Sequence, residues 1–290
     1  MKISVSMLST YLYCPRMLFL QKVLAVEEPP KESLVLGSLR HEIYDFINKS
    51  EQKIVSSIME KMQYIQLLGA YKSHYSKILK EKIIQNKPKI REVNLNIVDV
   101  FKKTWPLILN EAELRAKNIF DFVVKHNVYG NELWEKLTPK IISEKSVESE
   151  KLQLKGIIDR IEVYEGSSYV PIELKTGKMP KEGVWQGHRI QIAAYAMLIE
   201  ENFNTNVKEG FIRYLDTNET RQIAINPFMK EEIIALTKEI QNLLKNQEIP
   251  NYCENKNKCV NCGLRNTCYD EQEVTTLLSE IQNANQKVYI

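Results

Sequence analysis

The sequence lacks the features of a membrane-spanning or secreted protein. No stretch of its 290 residues approaches the roughly 18 unbroken apolar residues that a membrane span needs. The N-terminal segment mixes hydroxyls, a cysteine and a proline, and it has no apolar run followed by a small-residue cleavage site, as a signal peptide would. We therefore expect a cytoplasmic protein that has no membrane partner.

The sequence also has little net charge. There are 40 Lys+Arg against 37 Asp+Glu, for a formal net charge of +3. This charge is too weak to indicate nucleic-acid binding, so any DNA site must come from a local arrangement of residues. The contents of 43% hydrophobic and 27% charged residues are ordinary for a folded domain, which excludes wholesale disorder.

Helical periodicity dominates the first half of the chain, and strand patterns begin near Pro139. Helices are predicted over residues 9–24 with Ser9 as N-cap, over 32–49, and through 50–138 with an interruption at Trp105-Pro106. After Pro139, short β-branched segments separated by turns predict a hairpin, then a helix, two strands and a further helix. This order predicts an α/β fold, with a mixed sheet flanked by helices. The predicted segments are N-terminal helices (1–49), a helical insertion (50–138), a core (139–246) and a cysteine-rich segment with a last helix (247–290).

Two carboxylates and a lysine lie on neighbouring predicted strands. Asp159 ends an apolar run, and Glu173 and Lys175 are two residues apart on the next strand, so their side chains leave the same face. A hairpin can bring Asp159 beside them, and two carboxylates near an ammonium suit a hard divalent cation such as Mg²⁺ or Mn²⁺. Such a metal polarises a phosphoryl oxygen and activates a water, which Lys175 would orient.

Three further side chains can join this site. His41, on a predicted helix, could offer an imidazole to the same metal, which would tilt the preference toward Mn²⁺. Gln191 and Tyr195 are four residues apart on another predicted helix and share one face. They could hold a scissile phosphate or a strand end through hydrogen bonds.

The cysteines indicate a second metal site. Clustered cysteines in a reducing compartment favour a metal over disulfides, and four of the five lie close together near the C-terminus. Zinc could bind Cys253, Cys259, Cys262 and Cys268, leaving Cys14 spare. Alternatively, an iron–sulfur cluster could bind Cys14, Cys259, Cys262 and Cys268, leaving Cys253 spare.

Together these motifs resemble the PD-(D/E)XK nuclease superfamily and, within it, the RecB-like nucleases. The matching pieces are His41, Gly156-Ile157-Ile158-Asp159, Glu173-Leu174-Lys175 and Gln191-Ile192-Ala193-Ala194-Tyr195. The resemblance implies a restriction-endonuclease-like core. It also implies a metal bound by His41, Asp159, Glu173 and the backbone carbonyl of Leu174, with Lys175, Gln191 and Tyr195 completing the catalytic set.

The cysteines extend this resemblance to the iron–sulfur RecB-like nucleases. The segment Ser9-Thr10-Tyr11-Leu12-Tyr13-Cys14-Pro15-Arg16 resembles the first helix of that family. The resemblance implies a structural [4Fe-4S] cluster on Cys14, Cys259, Cys262 and Cys268 that ties the two chain ends together.

Compact members of this family that lack a helicase motor include the CRISPR-associated exonucleases, and the sequence contains no Walker-type phosphate loop. The resemblance implies a metal-dependent exonuclease acting on single-stranded DNA or DNA ends, with CRISPR adaptation proteins as candidate partners. Three alternatives stay open: a RecB-like repair nuclease outside CRISPR immunity, a non-catalytic DNA-binding scaffold of the same fold, and a zinc-binding regulatory protein.

Overall fold

A six-stranded mixed sheet forms the centre of the computed structural model, which describes residues 1–287. The strands are β1 (Ile3–Ser4), β2 (Lys140–Ser149), β3 (Leu154–Tyr164), β4 (Ser168–Lys175), β5 (Glu209–Tyr214) and β6 (Glu219–Ala224). Their order is β1-β3-β4-β5-β6, and β2 also pairs with β3. The β1–β3 and β4–β5 pairs are parallel, and the other pairs are antiparallel. The predicted mixed sheet and the β3–β4 hairpin are confirmed.

Helices surround this sheet, which confirms the predicted α/β class. The helices before β2 are α1 (Val5–Tyr13), α2 (Pro15–Lys22), α3 (Glu32–Ser56), α4 (Tyr64–Gln85), α5 (Lys87–Glu92), α6 (Ile97–His126) and α7 (Gly130–Lys136). The later ones are α8 (Gln186–Phe203), α9 (Pro227–Asn246), α10 (Lys256–Val260), α11 (Arg265–Tyr269) and α12 (Glu271–Lys287). Within residues 1–287, no helix combines the length and apolar character that a membrane crossing requires. The last three residues of the predicted segment 247–290 lie outside the described part of the chain.

Two hydrophobic clusters bury the sheet and set the direction of the β4 side chains. One cluster joins residues of α1, α8 and α9 to the sheet, and the other joins α3, α4, α6 and α7 to Ile172 and Leu174 of β4. Because side chains alternate along a strand, Glu173 and Lys175 point away from the second cluster and contact Gln191 of α8. The alternation therefore places this acid–lysine pair between the sheet and α8.

The first predicted helix is two helices that meet at Cys14. Ser9 is not an N-cap, because α1 begins at Val5. The break follows from Pro15, since the residue before a proline avoids helical geometry. Cys14 is accordingly extended, with φ −166° and ψ 112°, and Pro15 takes the first position of α2, which tolerates a missing N–H. The turn leaves Cys14 at a junction between helices.

The predicted interruption at Trp105-Pro106 is wrong, because α6 continues through Pro106. A proline inside a helix removes one backbone donor and costs about 3 kcal/mol. The same helix buries Ile108, Ala112 and Ile119 in the second cluster. Burial of such side chains is worth about 1.5–3 kcal/mol for each large aliphatic residue, which outweighs the local penalty.

Candidate metal centre

Asp159 and Glu173 face each other where the hairpin ladder ends. The β3–β4 pairing closes with Arg160 opposite Ile172, and the same register puts Asp159 opposite Glu173. Beyond this point a side chain replaces the backbone pairing. The Asp159 carboxylate accepts a hydrogen bond from the Leu174 N–H, with its Oδ2 at 2.8 Å. This bond holds the main chain of Leu174 against Asp159, as a shared metal site would require.

Lys175 and Gln191 form a network with Glu173. Lys175 Nζ donates to Glu173 Oε1 at 2.7 Å and to Gln191 Oε1 at 2.8 Å. The Gln191 amide donates in turn to Glu173 Oε1 and to the Tyr195 hydroxyl. Gln191 and Tyr195 are only 6% and 4% exposed. Their contacts orient Glu173 and Lys175, and their predicted role in holding substrate stays a prediction.

His41 of α3 lies close to Asp159 and to a further carboxylate, Glu144. Its Nδ1 lies 3.2 Å from Asp159 Oδ1 and 4.0 Å from Glu144 Oε1 of β2. Ligand atoms of His41, Glu144 and Asp159 all lie within 4.8 Å of one another. Helix α3 and strands β2 and β3 thus bring one imidazole and the carboxylates of Glu144 and Asp159 close together.

Burial and the closeness of the carboxylates shift the pKa values of residues in this candidate metal centre. Burial and the negative charge of Asp159 raise the pKa of Glu173 to about 8. Burial opposes a charged imidazolium at His41, but the hydrogen bond to Asp159 and the nearby negative charges raise the pKa of His41 overall. A cation placed here would relieve the repulsion between the carboxylates.

The residues present fit a divalent metal ion. Glu173 is 3% exposed, and its Oε2 is buried without a hydrogen-bond partner. A buried, unsatisfied carboxylate oxygen costs free energy unless a ligand satisfies it. Oxygen donors from carboxylates with one imidazole suit Mg²⁺ or Mn²⁺.

The structure also brings Cys14 to the other cysteines. The Tyr13 hydroxyl donates to the Lys258 carbonyl at 3.0 Å, and Lys258 Nζ donates back to the Tyr13 carbonyl at 2.9 Å. Arg16 Nη2 donates to the Cys268 carbonyl at 3.3 Å. Residues on both sides of Cys14 therefore contact the C-terminal segment. Arg16 contacts Cys268, and Tyr13 contacts Lys258, the residue before Cys259.

All five cysteines are half-buried free thiols. Cys262 and Cys268 pack against a small cluster built on Phe19 and Leu264. Burial raises the pKa of Cys14 and of Cys262. A set of sulfur donors at one place suits zinc or an iron–sulfur cluster, and the predicted choice between them stays a prediction.

Residues 2–269 of the chain match the PD-(D/E)XK nuclease superfamily. The chain belongs to the PD-(D/E)XK nuclease superfamily. The predicted resemblance to these nucleases is thereby confirmed, and with it the restriction-endonuclease-like core. Its open mixed sheet and flanking helices are those of the architecture described above.

Several relatives of this PD-(D/E)XK nuclease have known names. A CRISPR-associated exonuclease Cas4/endonuclease Cas1 fusion from Leptospira interrogans is 31% identical over 160 residues, which are 52% of this chain and 29% of the relative. A CRISPR-associated exonuclease Cas4 from Francisella tularensis subsp. novicida is 30% identical over 125 residues, 43% of this chain and 61% of the relative. The DNA replication ATP-dependent helicase/nuclease JHS1 from Arabidopsis thaliana is 24% identical over 270 residues, 88% of this chain and 19% of the relative. The chain spans less than two thirds of each of these relatives.

One residue of the candidate metal centre, Glu144, was not predicted from the sequence. The β2–β3 register, with Ser143 opposite Arg160 and Lys145 opposite Ile158, puts Glu144 opposite Asp159. Glu144 has a left-handed backbone with φ 46°, which is unusual for a glutamate. The sequence does predict a strand around Glu144 that could pair with the strand of Asp159. It does not reveal the register of that pairing, which decides whether Glu144 lies opposite Asp159.

Proposed function

We propose that this chain is a metal-dependent DNA exonuclease that carries a structural [4Fe-4S] cluster and processes DNA ends during CRISPR spacer acquisition. Two observations carry the nuclease activity: the imidazole of His41 and the carboxylates of Glu144 and Asp159 lie close together, and the buried Oε2 of neighbouring Glu173 has no hydrogen-bond partner. The similarity to Cas4 exonucleases supports the DNA substrate and the CRISPR context. The free thiols suit a reducing cytoplasm, which we propose as the location.

In the proposed reaction, His41, Asp159, Glu173 and the Leu174 carbonyl would hold Mg²⁺ or Mn²⁺. When bound, the metal would polarise a phosphoryl oxygen and lower the pKa of a water. Lys175, fixed between Glu173 and Gln191, would orient the attacking water and offset the charge that develops on the phosphate.

The proposed cluster ligands are Cys14, Cys259, Cys262 and Cys268. The contacts of Tyr13 and Arg16 with the C-terminal segment support this set, because they bring Cys14 to the other three. A cluster there would join the two ends of the chain beside the nuclease core, and we propose that its role is structural.

Digestion of end-labelled DNA tests the nuclease proposal. Linear single strands labelled at either the 5′ or the 3′ end, and a circular single strand, are incubated with Mn²⁺, with Mg²⁺ or with a chelator. We expect metal-dependent release of label from the linear strands and no cutting of the circle. Asp159→Ala should abolish cleavage, because it removes both a metal ligand and the acceptor for the Leu174 N–H.

Asp121→Ala is the matched control, because Asp121 is an exposed residue of α6 that forms an ion pair with Lys117 on the same helix. It should cleave like the unmodified protein. Full cleavage by Asp159→Ala would overturn the proposed metal centre. A folded protein that binds DNA but never cleaves it would instead favour the non-catalytic scaffold.

A repair nuclease outside CRISPR immunity is the second candidate. Its support is the similarity to JHS1, which extends over 88% of this chain, whereas the matches to the Cas4 proteins cover about half or less. Co-elution of the purified chain with a Cas1 protein from the same source would favour the CRISPR role. Elution of the two proteins apart, with unchanged DNA cleavage, would favour the repair role.

A further inference from the structure

A groove of about 760 Å³ lies beside the metal centre, between α1, the start of α8 and α10. Its floor is the contact between α1 and α8, where the Ser9 hydroxyl donates to the Gly187 carbonyl at 2.9 Å. The walls of the groove hold two exposed aromatic rings, Trp185 and Tyr13.

Trp185 is a fixed, accessible ring. Its side chain is half exposed, at 50%, although large apolar side chains are normally buried. The indole N–H donates to the Lys178 carbonyl at 3.2 Å, which sets the orientation of the ring without covering it. A ring held in this way can stack on another flat group at little cost in conformational entropy.

The opposite wall is formed by Tyr13 and Lys258. Two reciprocal hydrogen bonds join these residues, and Lys258 Nζ lies 5.1 Å from the centre of the Tyr13 ring. The wall therefore presents an ammonium group on a rigid aromatic support. Of the described residues that line the groove, none carries a carboxylate.

One residue of the groove lies close to the proposed catalytic lysine. His188 lines the groove and lies about one helical turn before Gln191, which contacts Lys175. His188 Nδ1 is 3.1 Å from the hydroxyl of Tyr214, the residue that pairs with Lys175 across the β4–β5 ladder. A chain that occupied the groove would therefore come close to the proposed reaction centre near His188.

We propose that this groove binds single-stranded DNA and guides it to Lys175, with Trp185 as the platform on which a base stacks. A single strand offers free base faces to an aromatic ring, whereas the bases of a duplex are stacked inside the helix. The ammonium group of Lys258, with no carboxylate among the described lining residues, suits a phosphate of the backbone. This inference rests on the proposed nuclease function and adds where the strand lies and which form of DNA is preferred.

Binding of fluorescein-labelled oligothymidylate, without added divalent metal, tests the groove. By fluorescence anisotropy, Trp185→Ala should weaken binding about tenfold, since one base–aromatic stack changes affinity by roughly fivefold to a hundredfold. Trp185→Phe should retain most of the affinity, because phenylalanine keeps a stacking face. Lys258→Gln should make binding less dependent on salt, with a slope lower by about 0.7 on logarithmic axes.

Phe228→Ala is the matched control, because Phe228 is an 80% exposed aromatic residue of α9 outside the groove. It should bind as the unmodified protein does. Unchanged binding by Trp185→Ala would overturn the proposal, and so would an equal loss of affinity for the matching blunt duplex. Quenching of tryptophan fluorescence by oligothymidylate, lost in Trp185→Phe, would support the stacking independently of the alanine variant's stability.

The test separates this inference from the proposed function. If the unmodified protein cleaves single strands but Trp185→Ala binds them equally well, the groove proposal fails and the nuclease proposal stands. If the unmodified protein binds single strands through Trp185 but cleaves no DNA with Mn²⁺ or Mg²⁺, the nuclease proposal fails and the groove remains a binding site.

Discussion

Glu111 of α6 is a buried carboxylate that contacts three arginines, and Glu111→Gln should destabilise the protein strongly. Glu111 is 1% exposed. Its Oε1 accepts from Arg115 Nε at 2.8 Å and from Arg160 Nη1 at 3.2 Å, and its Oε2 accepts from Arg213. Burial alone would raise the pKa of Glu111, yet the three guanidiniums hold it well below its usual range.

The expected magnitude follows from the charges that would remain. Glutamine keeps the volume and one acceptor oxygen, so the main change is the loss of a negative charge among buried guanidiniums. Removing one partner of a buried ion pair costs about 3–5 kcal/mol, because it leaves an uncompensated charge. Glu51 also faces Arg115, and Glu162 also faces Arg160. These two carboxylates limit the loss of stability that Glu111→Gln would cause.

Urea unfolding followed by circular dichroism measures this loss. Glu113→Gln is the matched control on the same helix, since Glu113 is 47% exposed and lies 3.6 Å from Lys72. An exposed pair of this kind contributes about 0–1 kcal/mol. If Glu111→Gln lowered the free energy of unfolding by less than about 1 kcal/mol, as a surface pair would, the claim that Glu111 holds this network together would be refuted.

The same contacts give the helices between α3 and β2 a structural role. Arg160 follows Asp159 directly in β3, and Arg213 lies in β5 beside Leu174 of β4. Glu111 therefore ties α6 to β3 and β5, the two strands that flank β4. We infer that residues 50–138, to which no motif assigned a function, help to hold the catalytic strands in place.

Three further predictions concern the two proposed metal sites. Because burial and Asp159 raise the pKa of Glu173 to about 8, a metal must displace a proton at neutral pH. Apparent Mn²⁺ affinity measured by calorimetry should therefore rise up to about tenfold per pH unit between about pH 6 and 8, and a flat profile would contradict this pKa. Glu144→Gln should weaken Mn²⁺ binding roughly tenfold in the same assay. Glu148→Gln, on the same strand but exposed and paired with Lys2, should not, and equal losses would show that Glu144 has no special part. Cys14→Ser should reduce the iron content and the thermal stability, whereas Cys253→Ser should keep both. The reverse pattern, with zinc in place of iron, would establish the alternative ligand set.

The strands and the acidic site could be predicted from the sequence, because they depend on short-range periodicity. Asp159, Glu173 and Lys175 stand on two strands joined by a tight turn, so alternation and a hairpin suffice to bring them together. The helix through Pro106 could not be predicted, because the local preference of proline against helix is outweighed there by long-range burial of the helix. The Glu111 network joins residues as far as 102 positions apart, and no local pattern shows such a contact.

Glu144 shows why part of the metal centre could not be predicted from the sequence. The β2–β3 ladder omits the pair formed by Glu144 and Asp159, and the β3–β4 ladder ends one residue after Asp159. Asp159 is thereby released from regular pairing on both sides, and its carboxylate bonds the Leu174 N–H instead. The left-handed backbone of Glu144 costs about 1–3 kcal/mol, which the fold must offset elsewhere. Strained residues cluster at functional sites, so the position of Glu144 beside His41 and Asp159 supports a part in the proposed metal centre. Mn²⁺ binding by Glu144→Gln therefore tests whether the carboxylate held at this strained position contributes to the metal site.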